Sequence, residues 1–583
     1  MQMSDTIPFP EYAPDITPLG QAESQVIYNV VPKSDGYGPI QSMTPYTESL
    51  PAPCRGYFYG RKPDGTVTIV AGTATDLYIM NPIDLSWTLA SKGGASYGAV
   101  PTDDNWVFVQ FNDLIIAVQK NAPPQKLAQS TSSSFVDLGG NPPYAGWVAI
   151  IGFFVVLTAL QENGQRAQWS DLDAPEQWSA GVGLSDFQDF PDGGSCLACS
   201  GGDAYGVIFQ EQSLRSMTYA AGSVAIFQFY RFSTQEVLYA KYSIVNVGNR
   251  VFYIGASGFK MIVSTGDPVE IGKDKVNVTF FNDVDASQLQ LIIGAVGPTA
   301  TRVYFAYKSQ IGGTPGQFNR ILVYDYILNK WARLNVSGEY IASLAKPGLT
   351  LEQMDPYTLE QLYVQNAVAS PTGAIRLTLD AVVKPSFNLA AQPFATVQGV
   401  KGTTEANGVW RFNIVNDTTV DEIGSTFVHP YISGGAIGGS IEAMTYPGIG
   451  PPVNPVFSFD QIIKAAISQL SAFDGSHALN FFNGPTLEAL LETGEADGKG
   501  RMLFTVAMRP ITDATQVFCS VGYRNNAQAF PSYTAENPID DMGMAPIDPI
   551  ESRYQRIRVR IAAGSGWTYA RGTQPDSEEA GDR

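Results

Sequence analysis

The residues with the most chemistry to offer are few. Two histidines, His429 and His477, leave little for a metal site or for general acid and base work near neutral pH. Four cysteines, Cys54, Cys196, Cys199 and Cys519, are too few for a disulfide framework in 583 residues, so a reducing compartment is the default. Cys196-Leu197-Ala198-Cys199 has the spacing of half a zinc site, but a structural site takes four ligands and no second pair or His-x-x-x-His follows. Asp171 with Asp173, and Asp540 with Asp541, are the nearest carboxylate pairs. Acidic residues fill turns by bonding the local backbone, which is their expected role here, with calcium in such a turn as the alternative. No Gly-x-Ser-x-Gly elbow, Gly-Lys-Ser/Thr phosphate loop or His-Glu-x-x-His occurs. Sialidase-type propellers repeat Ser-x-Asp-x-Gly-x-x-Trp turns; SDLDAPEQW at 170–178 comes nearest but lacks the glycine and the spacing. A protein without catalytic residues, metal or cofactor is expected.

One positive feature stands out in an acidic chain. In RYQRIRVRI, Arg556, Arg558 and Arg560 fall on one strand face and Ile557, Val559 and Ile561 on the other. The first expectation is a solvated face paired within the chain, for instance to the acidic loop at 536–551; contact with the acidic surface of a neighbouring subunit comes second and DNA phosphate third. The formal charge of −19 argues against a general phosphate-binding surface, because that affinity comes from Lys and Arg displacing counterions.

The elements that must carry these residues are short. Hydrophobic residues make up 44% of the chain and charged ones only 16%, against a usual share of about 25%, so there is material for a core and too little charge for disorder. Apolar stretches rich in Val, Ile, Tyr and Phe, separated by Gly, Pro, Asn and Asp, predict strands at 57–60, 66–71, 76–80, 106–111, 114–118, 206–209, 225–229, 250–254, 302–307 and 320–326. Gly and Pro account for 95 of 583 residues, a turn density that long helices do not tolerate. YAGWVAIIGFFVVLTAL at 144–160 is uncharged, yet shorter than the roughly 20 residues a bilayer core demands, and β-branched with Gly152 in the middle. Two buried strands joined at or near Gly152 are predicted, with no membrane span. MQMSDTIPFPEYAPDITPLG has no basic region ahead of an apolar run, so it reads as an extended arm and not as a secretory signal.

A strand, a turn with Asn or Asp and then a Trp recur around Trp87, Trp178 and Trp331. Their separations of 91 and 153 residues approximate two and three units of a four-stranded propeller blade, which runs to about 40–50 residues. The predicted fold is all-β: a β-propeller-like core of short antiparallel strands with an inserted second β-rich domain. After residue 340 the texture becomes more polar and then Gly-rich at 429–455, and Ser458 with Gln461 suggests a capped helix over IIKAAISQL. The expected organisation is an arm and docking segment at 1–50, propeller core at 51–340, inserted or projecting domain at 341–475, and a C-terminal β-unit at 476–583 that closes the core.

Several segments are similar to the tail nozzle proteins of short-tailed bacteriophages, also called tail hub or packaged-DNA stabilisation proteins. They are YNVVPKSDGYGPIQSMTPYTESLPAPCRGYFY, DFPDGGSCLACSGGDAYGVIFQEQSLRSMTYAAGSVAIFQFYRFS (189–233), NVGNRVFYIGASGFKMI (246–262), SAFDGSHALNFFNGPTLEALLETGE, AMRPITDATQVFCSVGYR and RYQRIRVRIAAGSGWTYARG. Together with their surroundings they spread over some two-thirds of the chain, and residues 385–455 match least. The resemblance implies a propeller-based structural subunit, assembled as a homohexamer below portal and adaptor proteins and beside tail fibres or spikes, that retains packaged genomic DNA and then lets it leave without sequence-specific binding. It also implies a virion tail location after assembly in the host cytoplasm, and a strand at TLEALLETGE despite its helical propensity. The alternatives are a propeller-based tail enzyme degrading host polysaccharide and a bacterial propeller used as a binding platform.

Overall fold

The computed structural model describes residues 6–16, 23–82, 84–223, 225–233, 237–264, 266–298, 301–345, 362–380, 395–416, 418–438, 468–498 and 501–580. Short strands dominate it because the sequence alternates β-branched or aromatic runs with residues that take turn conformations. Residues 144–160 show the logic: Ala145–Ile151 and Phe154–Leu160 pair as a hairpin in which Ile151 faces Phe154. The turn holds Gly152 at φ 58°, a conformation that glycine adopts without steric cost.

Seven four-stranded antiparallel meanders, the sixth extended by further strands, follow one another among the described residues. Blade one is Tyr57–Arg61, Val67–Gly72, Leu77–Met80 and Trp87–Leu89; blade two is Val107–Phe111, Leu114–Gln119, Ala122–Ala128 and Val136–Asp137. Blade three joins Arg166–Trp169 and Asp186–Asp189 to the hairpin above, and blade four is Cys196–Cys199, Tyr205–Gln210, Leu214–Tyr219 and Phe227–Ser233. Blade five is Leu238–Val247, Arg250–Gly255, Gly258–Val263 and Val269–Glu270, and blade six is Ile293–Val296, Arg302–Tyr307, Arg320–Asp325 and Lys330–Leu334. Blade seven is composite: Tyr340–Ala345, Ser468–Phe473, Ala478–Thr486 and, from near the N-terminus, Gln41–Ser49. Each first strand packs beside the first strand of the next blade, and that of blade seven packs beside that of blade one. The ring is therefore a closed seven-bladed β-propeller. Every blade is covered on both faces by its neighbours, so middle strands such as Phe154–Leu160 are buried along nearly their whole length and read as apolar runs without alternation.

The predicted strands lie within a few residues of the observed ones, and Trp87, Trp178 and Trp331 mark blades one, three and six, two and three steps apart as their spacing implied. Trp87 and Trp331 lie on outermost strands, whereas Trp178 is buried in the connection before the last strand of blade three, its indole N–H donating to Pro175 O at 2.8 Å.

Three boundaries are corrected. The propeller does not end at 340: its last blade takes Tyr340–Ala345, Ser468–Phe473 and, as the one strand supplied by the unit expected at 476–583, Ala478–Thr486. Gln41–Ser49 closes it by pairing antiparallel with Ala478–Thr486, so the limits at 50, 340 and 475 cut through blade seven. The insertion lies between the first two strands of that blade. Its described part is a closed six-stranded barrel of Leu362–Ala369, Ile375–Leu379, Thr419–Ile423, Gly408–Asn416, Ala395–Gln398 and Ala436–Gly438 around a separate apolar core. The helix expected over IIKAAISQL falls largely outside the described residues, and Ser468–Phe473, at its end, is a strand.

The C-terminal unit has two sheets. One orders Val30–Lys33, Gly36–Pro39, Ala570–Ala580, Met502–Thr512 and Ala545–Ser552. In the other, Ala489–Glu492, Tyr554–Ile561 and Val517–Arg524 continue the sheet of blade six through the two-residue strand Ile27–Tyr28, which pairs with Lys330–Leu334. TLEALLETGE thus carries a strand.

The arm ties these parts together. Ile7–Pro8 pairs with Ala570–Ala580, Phe9 and Tyr12 are buried, and the Asp15 carboxylate accepts the N–H groups of Val278 (2.7 Å) and Thr279 (2.8 Å) at the start of the helix Asn277–Asp283. The helix has no side-chain cap of its own, so Asp15 supplies one from a distance. Replacing Asp15 by Ala is expected to cost about 1 kcal/mol and to raise hydrogen exchange in residues 277–283; unchanged exchange there would contradict this role. Among the described residues no helix is long and apolar enough to cross a membrane.

Candidate functional site

The arginine row lies on Tyr554–Ile561, between Ala489–Glu492 and Val517–Arg524, with Ile557, Val559 and Ile561 in the core as the alternation requires. Its partners come mainly from the neighbouring strand and the turn after it. Arg556, 7% exposed, reaches Glu492 and Glu495 at 3.1 Å each, and both carboxylates are buried. Arg558 donates to Glu492 at 2.8 Å and stacks 3.7 Å above the Tyr533 ring, whose hydroxyl also donates to Glu492 at 2.9 Å. Arg560 bridges Glu488 (3.1 Å) and Glu536 (2.8 Å), with Phe518 beneath its guanidinium. Arg524 completes the chain of charges on Glu495. Burial alone lowers the affinity of Arg556 for its proton, but Glu492 and Glu495 outweigh it and the net shift is upward.

All three arginines are therefore paired inside the chain. Only Glu536 belongs to the acidic loop singled out in the sequence; Glu488, Glu492 and Glu495 sit in TLEALLETGE and are brought opposite by strand pairing. The spacing of four and three residues masked them as partners, because it suggests a helix face. In the rest of the acidic loop, Asp540 accepts the N–H groups of Met542 and Met544, and in blade three Asp171 accepts those of Leu172 and Leu184, which is the turn role expected of both.

A second polar cluster crosses the propeller axis. Tyr242, on the first strand of blade five, accepts the N–H of Asn105 at 2.7 Å and donates to Asp104 Oδ1 at 2.9 Å. Asp104 and Asn105 lead into the first strand of blade two, as far from blade five as a ring of seven permits. Lys241 also pairs with Asp104; Arg55 donates to Asn105 Oδ1 at 3.0 Å, Asn105 donates to Gln290 O at 2.9 Å, and the Trp147 ring of blade three packs 5.7 Å from that of Tyr242. Burial, and after it the Asp104 charge, push the Tyr242 phenol well above its ordinary range. Side chains thus span the axial hole, and duplex DNA cannot thread it.

The cysteines are free thiols in the core. Cys196 and Cys199 share the first strand of blade four, and burial pushes Cys196 and Cys519 up to about 12, so none is a poised nucleophile. Among the described residues no group of three His, Cys, Asp or Glu is arranged to hold a metal. His477 lies at a hairpin turn with φ 65° and meets the buried Glu339 at 2.5 Å, while His429 faces Glu405 at 3.3 Å.

The group that sequence reading missed is Glu422. It lies on Thr419–Ile423 with its side chain inside the barrel, 0% exposed, and neither carboxylate oxygen has a hydrogen-bond partner among the described residues. Burial first, and the nearby Glu405 charge second, raise it to about 8. Glu405 itself, raised by burial, is brought down to about 2 by the backbone N–H groups of His429 and Val428. Period two would have placed Glu422 on the face of Val420, the core residue two positions before it.

No family model matches the chain, and no curated protein matches it significantly. Solved structures with partial likeness include a chain of a mitotic checkpoint complex (10% identity, 52% of this chain and 90% of that one, TM-score 0.32) and the computationally designed Ika8 protein (10%, 58% and 96%, TM-score 0.30). The β-propeller domain of Cps50 (Swd1) from Myceliophteria thermophila is a third (9%, 41% and 90%, TM-score 0.25). The propeller assignment rests on the sheet order and ring closure and owes nothing to these low scores.

Proposed function

We propose that this chain is a structural subunit of the tail nozzle, or hub, of a short-tailed bacteriophage, assembling as a ring of six below portal and adaptor and holding the genome back until ejection. The observation that carries the reading is one of placement. The segments similar to nozzle proteins are the first strands of the chain, blades four and five, part of blade seven and the C-terminal sheets, which are scaffold, and their charged side chains are largely taken up in internal pairs. The side chains that bridge the propeller axis add a constraint: the exit channel runs between copies of the chain and not through any one of them. A net charge of −19 per copy suits that lumen, since a wall that does not neutralise phosphates does not retard sliding DNA. Retention is then steric, by loops narrowing the lumen.

Electron microscopy of the purified protein, or of the virion carrying it, tests this. Six-fold rings with a central hole at the distal tail are expected, and the narrowest point should carry no ring of Lys or Arg. A monomer or trimer in the virion would overturn the assembly; saccharide release from capsular or wall polysaccharide would favour the tail-enzyme reading instead.

A further inference from the structure

The outer face of the inserted barrel carries a groove of about 690 Å³, within the range of small-ligand sites, whose lining contains no charged side chain. Its floor is a cross-strand row. Tyr363 and Gln398 are both register partners of Ala436, which lies on the strand between theirs, and the flanking Leu362, Val364, Val397 and Ile437 point into the barrel core. A small methyl group is thus flanked by an exposed ring and an amide about 10 Å apart, two interstrand spacings. Gln365, two residues after Tyr363, continues the same face, and the loop from Tyr431 to Gly435, which carries Ser433, completes the lining.

That loop is rigid. Lys401 N–H donates to Ser433 O (2.9 Å), Ile432 N–H to Lys401 O (2.8 Å) and Val364 N–H to Gly435 O (2.9 Å), while the Tyr431 hydroxyl donates to Val364 O at 2.8 Å. Gly435 is needed there, with φ at 112° and a position where a Cβ would lie 2.4 Å from Val400. Tyr363 is 53% exposed, and among the described residues no hydrogen bond within the chain occupies the amides of Gln365 and Gln398.

We propose that this groove binds a neutral saccharide. Amides and a hydroxyl both donate and accept, as sugar hydroxyls require. The exposed tyrosine face offers the flat apolar surface on which the C–H face of a pyranose packs. The absence of charge selects against phosphorylated or uronic ligands, and the preformed walls lower the ordering cost of binding. A folded barrel inserted in a propeller blade by two connections is a suitable carrier for such a surface, whatever ring the propeller forms.

The test uses the full chain, titrated with neutral oligosaccharides (glucan, mannan, galactan and N-acetylglucosamine oligomers) and, in parallel, with proline-rich peptides. Saturable binding of at least one neutral glycan is expected. Tyr363→Ala should weaken it about tenfold and Gln398→Ala several-fold, Tyr363→Phe should stay within about threefold, and Tyr230→Ala, an exposed tyrosine on blade four, should leave it unchanged. Absence of glycan binding, equal binding by Tyr363→Ala, or peptide binding in its place would overturn the proposal. A monomer that binds glycan would keep it and sink the nozzle reading; a ring that binds none would do the reverse.

Discussion

Replacing Arg556 by Met is expected to destabilise the C-terminal unit by about 3 kcal/mol, while the same change at Arg560 costs about 1 kcal/mol or less, with Arg558 between them. The three arginines alternate on one strand and look equivalent in the sequence, but their surroundings are graded. Arg556 is 8% exposed in its side chain and touches two carboxylates that are 1% exposed, so its removal leaves buried negative charge uncompensated. The loss stays near the low end for a buried pair because Glu495 keeps Arg524 and Glu492 keeps Arg558. Arg560 meets Glu488 and Glu536, which are 54% and 39% exposed, and water replaces the guanidinium readily there. Reversal of Arg556 to Glu sets three carboxylates together and should prevent the unit from folding at neutral pH. Hydrogen exchange in Met502–Thr512 and Val517–Arg524 reads these changes locally. Equal losses at positions 556 and 560 would contradict the graded burial.

The second large effect belongs to the barrel. Between pH 4.5 and about 8 the folded barrel keeps a proton on Glu422 that the unfolded chain has released, so barrel stability falls as pH rises through that window. Across the whole interval the loss is on the order of 4 kcal/mol. Glu405 acts in the opposite sense at lower pH. Its folded carboxylate stays ionised down to about 2, so the stability it contributes is present above its ordinary 4.5 and is lost on acidification towards 2. Together they put the barrel's optimum in mild acid, near pH 5. Glu422→Gln should flatten the fall between pH 5 and 8, and Glu422→Leu should stabilise the barrel at pH 8 by several kcal/mol, because it removes an unpartnered carboxyl from an apolar interior. Hydrogen exchange of the strands Leu362–Ala369 and Ile375–Leu379, corrected for the intrinsic pH dependence of exchange, checks both. A slope that survives in Glu422→Gln would assign the titration elsewhere.

These two effects differ in how far they could be read in advance. The alternation of Arg556, Arg558 and Arg560 with apolar residues was legible because a strand's period is local, and so was an intramolecular pairing. The main partners were not. Glu488, Glu492 and Glu495 carry helical spacing, and only the register that sets Leu490 opposite Arg560 and Glu492 opposite Arg558 makes them counter-ions. Glu422 lies between Asp421 and Ile423, where composition shows an acidic, exposed-looking strand; alternation puts it on the face of Val420, and barrel closure makes that face the inner one.

Strand positions and hairpin turns were determined by the sequence, since side-chain branching and glycine's access to positive φ act over a few residues. The Trp spacing extended this to the blade period because each blade is itself a local meander. Tertiary structure alone decided that there are seven blades, that the last is assembled from Gln41–Ser49 and strands more than 290 residues further on, and that a barrel is spliced into it. It also decided that side chains of blades two and five meet across the ring. Such pairings are set by which distant edges remain unpaired once the local hairpins have formed, and no window of sequence contains both edges.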